Sequence, residues 1–356
     1  MAAWAEGRIS EVLEISPGLV RARATVSEGE ISAIGFPSML GPVRVGDRVV
    51  LNVTGLELGL GTGGDGFILW NLDGDGAPGP GEGHIIKLRY TPWQTEVAAA
   101  EAPESPHHAV LSELETLSGM PVVVCGLHSQ IAGVVAGVKE AAGHCRIGYL
   151  MSDGAALPLA WSRLVASLRS AGLIDVTCTS GHAFGGDLES INAYSGLAAL
   201  RTAGAADVVV VAMGPGIVGS ATRLGFSGME VGALLDAAGA LQGHAVASLR
   251  ISFSDPRPRH RGVSHHSLTA LRLGTARRAT IAVPQLPEEH EQLVQTSLVE
   301  SGLGERHELA FADGQPGVEL LRRTEVEVTS MGRTLDETPE LWVAAAAAGR
   351  VATKWL

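Results

Sequence analysis

The sequence predicts a doubly wound α/β fold with a mostly parallel sheet, preceded by a small β-barrel-like N-terminal domain. Short β-prone runs separated by Pro and Gly turns occupy residues 1–95, whereas short apolar runs alternate with longer Ala- and Leu-rich stretches over residues 109–356. Residues 96–108, rich in Ala, Glu and Pro, separate the two patterns. A chain of 356 residues also exceeds the usual size of one core, so we expect two domains joined by a linker at residues 96–108.

In the first domain, six runs have the composition of β-strands: residues 8–15, 19–26, 30–34, 48–53, 67–71 and 84–90. Residues 45–50, Val-Gly-Asp-Arg-Val-Val, form a turn that leads into an apolar strand. Several short strands at such close spacing are typical of a small barrel or of a sheet closed on itself.

The second domain contains six short, continuous apolar runs, at residues 121–125, 146–151, 175–179, 207–213, 245–251 and 280–284. Strands buried on both faces lose the alternation of apolar and polar residues, so these runs indicate a parallel sheet. Stretches with helical spacing follow such runs, among them residues 131–142, 159–171 and 188–203. The alternation implies right-handed crossovers. We expect a last helix over residues 341–351, with Thr338 as its cap and Pro339 in its first turn.

The charge of the chain limits its partners. The formal net charge is −12 at pH 7, so phosphate backbones and anionic membranes repel it, and we expect no nucleic-acid or membrane partner. No apolar run approaches the ~20 residues of a membrane span, and the first residues lack the pattern of a secretory signal. Cys125, Cys145 and Cys178 are too few for a disulfide framework. We expect a cytoplasmic protein with reduced thiols, and the sequence leaves a homo-oligomer open.

Polar residues after the apolar runs predict a ligand site. Ligands of open parallel sheets bind beyond the carboxyl ends of the strands. Five successive runs end in small, polar or ionisable residues, so we expect one concave site at that edge. The candidate catalytic residues are His128, His182, Asp187, His265 and His266. The candidate ligand-binding residues are Ser129, Asp153, Ser180, Gly214, Gly216, Gly219, Thr222, Asp255, Arg257, Arg259 and Arg261.

Two segments predict an anionic ligand. Residues 214–219, Gly-Pro-Gly-Ile-Val-Gly, have glycines that let a backbone approach a phosphate, although they match neither the dinucleotide fingerprint nor a P-loop. The alternative is a tight connection between a strand and a helix. Arg257, Arg259, His260 and Arg261 form a dense basic cluster, and guanidinium groups bind phosphate or carboxylate in a bidentate manner. The alternative here is a solvated loop, or ion pairs with the protein's own carboxylates.

The histidines are compatible with proton transfer or with metal binding. Imidazole titrates near neutrality and suits general acid–base catalysis, with nearby aspartates to orient the rings. Ligands from separate loops could also hold Zn²⁺ or a similar divalent ion, although no H-x-x-x-H or H-E-x-x-H spacing supports such a site. The cofactor is therefore left unknown, with a divalent metal as one alternative. The candidate metal ligands are His128, His182 and one of His265 or His266, with Asp153, Asp187 or Asp255.

Three segments carry a resemblance to a known family. They are Gly-His-Ala-Phe-Gly-Gly-Asp at residues 181–187, Met-Gly-Pro-Gly-Ile-Val-Gly at 213–219 with Gly-Phe-Ser-Gly at 225–228, and Arg-His-Arg-Gly-Val-Ser-His-His at 259–266. Together they resemble a family of bacterial proteins classed only as a domain of unknown function. The resemblance covers nearly the whole chain, including the barrel-like start, and implies no activity, cofactor or catalytic residue.

These observations favour an enzyme that acts on a small anionic molecule, either phosphorylated or nucleotide-like, at the carboxyl ends of the parallel sheet. The glycine-rich and arginine-rich segments would hold the anion, and the histidines would move protons or bind a metal. Two alternatives remain open at this point. One is a non-catalytic metabolite sensor, and the other is an assembly protein that uses the N-terminal barrel to bind a partner.

Overall fold

In the computed structural model, residues 2–59, 63–76 and 83–356 are described. The chain forms two compact units, Met1–Val97 and Ala98–Leu356. The predicted fold class is confirmed, because a closed β-barrel lies in the first unit and an eight-stranded parallel sheet with helices lies in the second. Among the described residues, no helix has the length and apolar character needed to cross a membrane.

Five strands close the N-terminal barrel in the order β1-β2-β3-β5-β4. The strands are β1 (Trp4–Ser16), β2 (Leu19–Val26), β3 (Gly29–Gly35), β4 (Arg48–Asn52) and β5 (Asp65–Asn71). The β3–β5 pair is parallel, and the other neighbours are antiparallel, including the β1–β4 pair that closes the barrel. Two short helices, α1 (Pro37–Leu40) and α2 (Thr54–Glu57), flank β4 in the chain. This is the topology of an OB-type barrel, a fold that does not by itself imply a ligand.

The interior of the barrel is apolar, and a buried ion pair lies on its outer side. Ile9, Ala22 and Leu51 are fully buried, and the residues next to them along each strand face outward. Asp65 is also buried, and its carboxylate accepts two hydrogen bonds, of 2.7 and 2.8 Å, from Arg21 Nη1. This pairing offsets the cost of removing the carboxylate from water.

The sheet of the second unit has the strand order β11-β10-β9-β12-β8-β13-β16-β17, and all neighbouring strands are parallel. Its strands are β8 (Pro121–Cys125), β9 (Ile147–Ser152), β10 (Val176–Thr179), β11 (Leu188–Glu189), β12 (Val208–Met213), β13 (His244–Ser248), β16 (Thr280–Pro284) and β17 (Glu308–Ala312). The remaining strands form two-stranded ribbons: β6 (Ile85–Lys87) with β7 (Thr95–Val97), β14 (Ile251–Ser252) with β15 (Gly262–Val263), and β18 (Thr329–Ser330) with β19 (Arg333–Thr334).

Helices cover both faces of this sheet. Val123 and Cys125 of β8 point to one face and Val122 and Val124 to the other, as the two-residue period of a strand requires. The helices of the second unit are α3 (His108–Ser112), α4 (Gln130–Ala141), α5 (Arg163–Ser170), α6 (Ala193–Thr202), α7 (Glu230–Ala240), α8 (His265–Thr269), α9 (Glu288–Glu300), α10 (Leu303–Arg306), α11 (Gln315–Arg322) and α12 (Pro339–Ala352). Side chains of α4, α5, α11 and α12 pack on the first face, and those of α6, α7, α9 and α10 on the second.

Three predicted elements differ from the structure. The run at residues 84–90 does not join the barrel, because β6 pairs with β7 instead. The helix predicted at 188–203 begins only at Ala193, because β11 extends the sheet and the Asn192 side chain caps α6. The apolar run at 245–251 is not one strand. Strand β13 ends at Ser248, and β14 pairs with β15 in a separate two-stranded ribbon.

Helices α12 and α4 pack so closely that their backbones are in contact. A Cβ atom added to Gly137 would lie 2.1 Å from the carbonyl oxygen of Ala346. A Cβ atom added to Gly349 would lie 2.1 Å from the carbonyl oxygen of Val134. Both distances are far below a van der Waals contact, so these positions of the two helices require glycine.

The first turn of α12 holds the segment that follows β13. The hydroxyls of Thr338 and Ser252 are 3.1 Å apart, and Thr338 makes no side-chain capping bond, contrary to the prediction. The Phe253 N–H donates a hydrogen bond to the Glu340 carboxylate. The packing of α12 against α4 therefore also determines where the loop after β13 lies.

We expect Gly137→Ala to lower the free energy of unfolding by at least about 2 kcal/mol, because the added methyl group overlaps the backbone of α12. At a solvent-exposed position inside a helix, replacing Gly by Ala instead raises the free energy of unfolding by up to about 1 kcal/mol. Gly239→Ala in α7 is the control, since its Cβ would meet only the flexible Arg277 side chain at 3.4 Å. Urea unfolding at pH 7 measures both. Equal effects of the two substitutions would show that the helix contact is not tight.

Candidate functional site

The sheet places the predicted residues at one edge but not in one pocket. Parallel strands send all their following loops to the same edge. The loop with His182 follows β10, and the loop with His265 and His266 follows β13. Strands β9, β12 and β8 lie between β10 and β13, which separates the two loops by about 19 Å at the usual strand spacing. The candidates therefore fall into separate groups along the edge.

His128, after β8, is an interior residue with both ring nitrogens engaged. Its Nδ1 lies 2.9 Å from the carbonyl oxygen of Met213, and its Nε2 lies 2.6 Å from Ser162 Oγ. The Tyr149 hydroxyl lies 3.3 Å from the same Nδ1. Burial lowers the pKa of His128 to about 4. This ring thus links the end of β12, strand β9 and the N-terminus of α5, and neither nitrogen is left for a ligand.

Asp187, Ser180 and Ser129 are also bonded within the protein. The Asp187 carboxylate accepts hydrogen bonds from the Thr177 amide and from Arg169, at 2.9 Å each. Burial opposes ionisation, but these bonds outweigh it and lower the pKa of Asp187. Ser180 is buried and directs its hydroxyl to the Met151 carbonyl, while Ser129 donates to Ser330 Oγ at 2.9 Å.

A carboxylate pair lies beyond the ends of β9 and β10. Asp153 Oδ2 accepts a 2.9 Å hydrogen bond from the backbone N–H of His182. Glu230, the first residue of α7, accepts a 2.7 Å hydrogen bond from Ser152 Oγ. Burial, with a smaller effect of the Asp153 charge, raises the pKa of Glu230 to about 7. Glu230 was not among the predicted residues, although it lies two residues after Gly228 and opens a helix.

The glycine-rich loop after β12 has two parts. Gly214 and Gly216 face the loop after β9: a Cβ on Gly214 would lie 2.4 Å from the Ala156 carbonyl oxygen, and Gly216 has a φ of +113°. Gly219 forms a bridge with Phe226 near His266. The chain then continues to Glu230 before α7 starts, so residues 214–219 do not lead directly into a helix N-terminus.

Asp255, after β14, is the centre of an ion-pair network. Its side chain is fully buried and binds Arg257 at 2.8 Å and both Arg250 and Arg333 at 3.4 Å. The hydrogen bonds from Arg257 hold the pKa of the Asp255 carboxyl well below its usual range. Burial lowers the pKa of Arg250 to about 10. Arg257 is thus paired with a carboxylate of the protein itself, which is the alternative left open by the sequence.

His260, His265 and His266 form a compact cluster beside this network. His260 ends a short 3₁₀ turn, Pro258–His260, and the other two residues open α8. One ring nitrogen of each lies within 4.8 Å of those of the other two. His265 Nε2 and His266 Nδ1 are buried and have no hydrogen-bond partner among residues 2–59, 63–76 and 83–356.

The three imidazoles are neutral at pH 7. Burial, with a smaller effect of Arg250, lowers the pKa of His260 to about 4. Burial and the two neighbouring histidines lower the pKa of His266 to about 3. Burial, followed by Arg259, also lowers the pKa of His265. The rings therefore present unprotonated nitrogens to a ligand.

A cavity of about 520 Å³ opens next to His265. Arg223, Arg259 and Arg272 line it, with Glu300 as the acidic group. No carboxylate in the described parts of the chain lies within salt-bridge distance of these three guanidinium groups. Further polar lining comes from Thr222, Thr269, Ser297 and Ser301.

Of the predicted ligand-binding residues, Thr222 and Arg259 therefore share the cavity with His265, and Arg261 is exposed and does not line it. Arg223 and Arg272 were not taken as site residues from the sequence, and His260 was assigned to the basic cluster but not to the catalytic or metal-binding histidines. His260 lies within the arginine cluster, and its spacing to His265 and His266 is a usable signal. Arg223 lies in the glycine-rich segment, whereas nothing in the sequence around Arg272 indicates a ligand.

We expect Glu230→Gln to be stabilising relative to the unmodified protein at pH 8 but not at pH 5. Between an unfolded pKa of about 4.5 and a folded pKa of about 7, the folded state keeps a proton on Glu230 that the unfolded state releases, so stability falls as pH rises. The difference in unfolding free energy should grow by on the order of 2–3 kcal/mol from pH 5 to pH 8. Exposed Glu115→Gln is the control. A pH-independent difference would contradict the burial of an ionisable Glu230.

We expect Asp255→Asn to lower the free energy of unfolding by about 3 kcal/mol or more, because Arg250 remains buried without its carboxylate. Asp336→Asn removes an ion pair with Arg322 at the surface and should cost less than about 1 kcal/mol. Chemical denaturation at pH 7 compares the two. Similar losses would mean that the Asp255 network does not hold the loop.

Comparison with known proteins shows the family of the chain. The family described as Protein of unknown function (DUF3866) matches residues 32–349, well over half of the sequence. The matched region includes every loop at the carboxyl edge of the sheet. No curated protein matches the chain. The resemblance carried by residues 181–187, 213–219 and 259–266 is thus confirmed, and the chain belongs to this family of proteins of unknown function.

Proposed function

We propose that the second unit is an enzyme that acts on a small anionic molecule, phosphorylated or nucleotide-like, bound in the cavity beside His265. The observation that carries the proposal is the set of three arginines, Arg223, Arg259 and Arg272, that line one cavity without a partner carboxylate among the described residues. The chain as a whole carries a net charge of −12, so such a concentration of positive charge is local. It suits an anion that the rest of the surface repels.

The lining of the cavity supports recognition of a phosphate or carboxylate. Guanidinium groups form paired hydrogen bonds to the oxygens of such anions. Hydroxyls of Thr222, Ser297 and Ser301 add neutral donors and acceptors. A volume of about 520 Å³ lies within the range of small-molecule sites. These features favour a metabolite over a macromolecule.

The histidine cluster supplies the reactive groups in this proposal. His265 belongs both to the cluster and to the wall of the cavity. Its lowered pKa keeps the ring unprotonated at neutral pH, so it has a lone pair beside the bound anion. A neutral imidazole beside three arginines is suited either to accept a proton or to bind a metal ion, and the guanidinium groups stabilise negative charge that develops on the substrate.

We expect Arg259→Ala to weaken binding of the best ligand by about ten- to a hundredfold, because a charge-assisted hydrogen bond contributes about 1.5–3 kcal/mol. Pyrophosphate, nucleotides and sugar phosphates form the panel, measured by thermal shift and then by calorimetry. Arg261→Ala is the matched control, since Arg261 is an exposed arginine two residues away that does not line the cavity. Equal losses in both variants would contradict this location of the anion.

Catalysis requires a second measurement. The ligand identified in the panel is incubated with the protein and followed by phosphorus NMR and mass spectrometry. We expect a chemical change that His265→Gln abolishes while binding of the ligand is kept. Tight, Arg259-dependent binding without any chemical change would contradict the enzyme and support the metabolite sensor.

A further inference from the structure

We propose that His260, His265 and His266 together bind one divalent transition-metal ion of the zinc class. This ligand set differs from the one predicted from the sequence, which combined His128 and His182 with a later histidine. The inference deepens the proposed function, since His265 also lines the anion cavity. Metal binding itself can be measured with no anion present.

The first argument is geometric. The three ligand nitrogens lie within 4.8 Å of one another. Zinc–nitrogen bonds of about 2.0–2.1 Å place the nitrogens of a tetrahedral site about 3.3 Å apart, so modest ring rotations bring all three to one ion. The rings already lie together, with centroids 4.4–4.9 Å apart. Three protein ligands leave a fourth position for water or substrate, as in catalytic zinc sites.

The second argument is the presence of unused buried nitrogens. His265 Nε2 and His266 Nδ1 are buried and lack a hydrogen-bond partner in the described parts of the chain. An unpaired buried polar atom costs about 1–3 kcal/mol, and a bound metal ion removes that cost for both rings at once. Two adjacent residues, each with an unpaired buried nitrogen and each belonging to the same cluster, indicate a ligand common to both.

The third argument is that neighbouring residues orient the rings. Ser264 Oγ and His260 Nδ1 are 2.8 Å apart and hydrogen-bonded, which leaves His260 Nε2 for the ion. Metal-binding histidines commonly have such a partner on the other nitrogen. Phe226 stacks on His266, with centroids 3.9 Å apart and rings 4° from parallel. These contacts keep His260 and His266 near the orientation that a common ion requires.

The charges around the cluster indicate what completes the site. Histidine binds a metal ion as the neutral imidazole, so three such ligands leave the ion with its full double charge, and the side chains of Arg250 and Arg259 add positive charge nearby. The fourth ligand should therefore be an anion, either hydroxide or an oxygen of the substrate bound in the cavity. The metal and the anion would then support each other's binding.

The test uses the full chain without a polyhistidine tag, stripped with a chelator and titrated with Zn²⁺ and with Co²⁺. We expect one equivalent to bind, and Co²⁺ to give the visible absorption of a four-coordinate nitrogen site without sulfur charge-transfer bands. Loss of an outer-shell partner typically costs about 10–100-fold in affinity, so Ser264→Ala should weaken binding about tenfold and His266→Gln more than about a hundredfold. Exposed His144→Gln is the control and should change nothing.

Unchanged Zn²⁺ affinity in folded His266→Gln, sulfur charge-transfer bands with Co²⁺, or no binding to the unmodified protein would each overturn the metal site. If His266→Gln does not fold, Ser264→Ala and the Co²⁺ spectrum decide. The proposed function fails separately, because Arg259→Ala acts on anion binding to the metal-free protein. Stoichiometric metal with no Arg259-dependent anion would leave the metal site standing and remove the anion cavity.

Discussion

The buried carboxylate of Asp255 is the interaction on which the candidate site depends. It binds Arg250 and Arg257 of the segment after β13 and Arg333 of β19, and so joins that segment to the β18–β19 ribbon. Three guanidinium groups around one carboxylate leave an excess of positive charge. Together with burial, that excess keeps the neighbouring His260 unprotonated and makes the region attractive to anions.

The close packing of α4 against α12 also supports this network. Glycines in α4 and α12 bring the two helices to backbone contact, and the first turn of α12 then holds the loop after β13 through Thr338 and Glu340. Because the segment after β13 is held in this way, it can keep unpaired histidine nitrogens buried. The free-energy cost of these buried polar atoms is offset by the stability of the rest of the unit. The geometry of the candidate site therefore depends on helix packing at some distance from it.

Much of the fold was predictable, because solid apolar runs and helical spacing reflect burial directly. The edge strand β17 was not predicted, because Glu308–Ala312 is short and only partly buried. The other edge strand, β11, was not predicted because it has only two residues. For the site, Arg259, Thr222 and His265 were predicted from their position after strands. Arg272 was not, because it lies in a helical segment and reaches the cavity only through the packing of α8 and its continuation.

The sequence alone determined that five strand ends bring polar loops to one edge of a parallel sheet, because strand direction follows from the alternation of strands and helices. Tertiary structure decided which of those loops meet. Strand order separates the β10 loop from the β13 loop, so His182 lies apart from His265 and His266. Packing between β8, β9 and β12 engages His128 in internal hydrogen bonds, whereas the cluster of His260, His265 and His266 forms within one local segment. Strand order depends on how helices pack across the whole sheet, and no local pattern of residues encodes it.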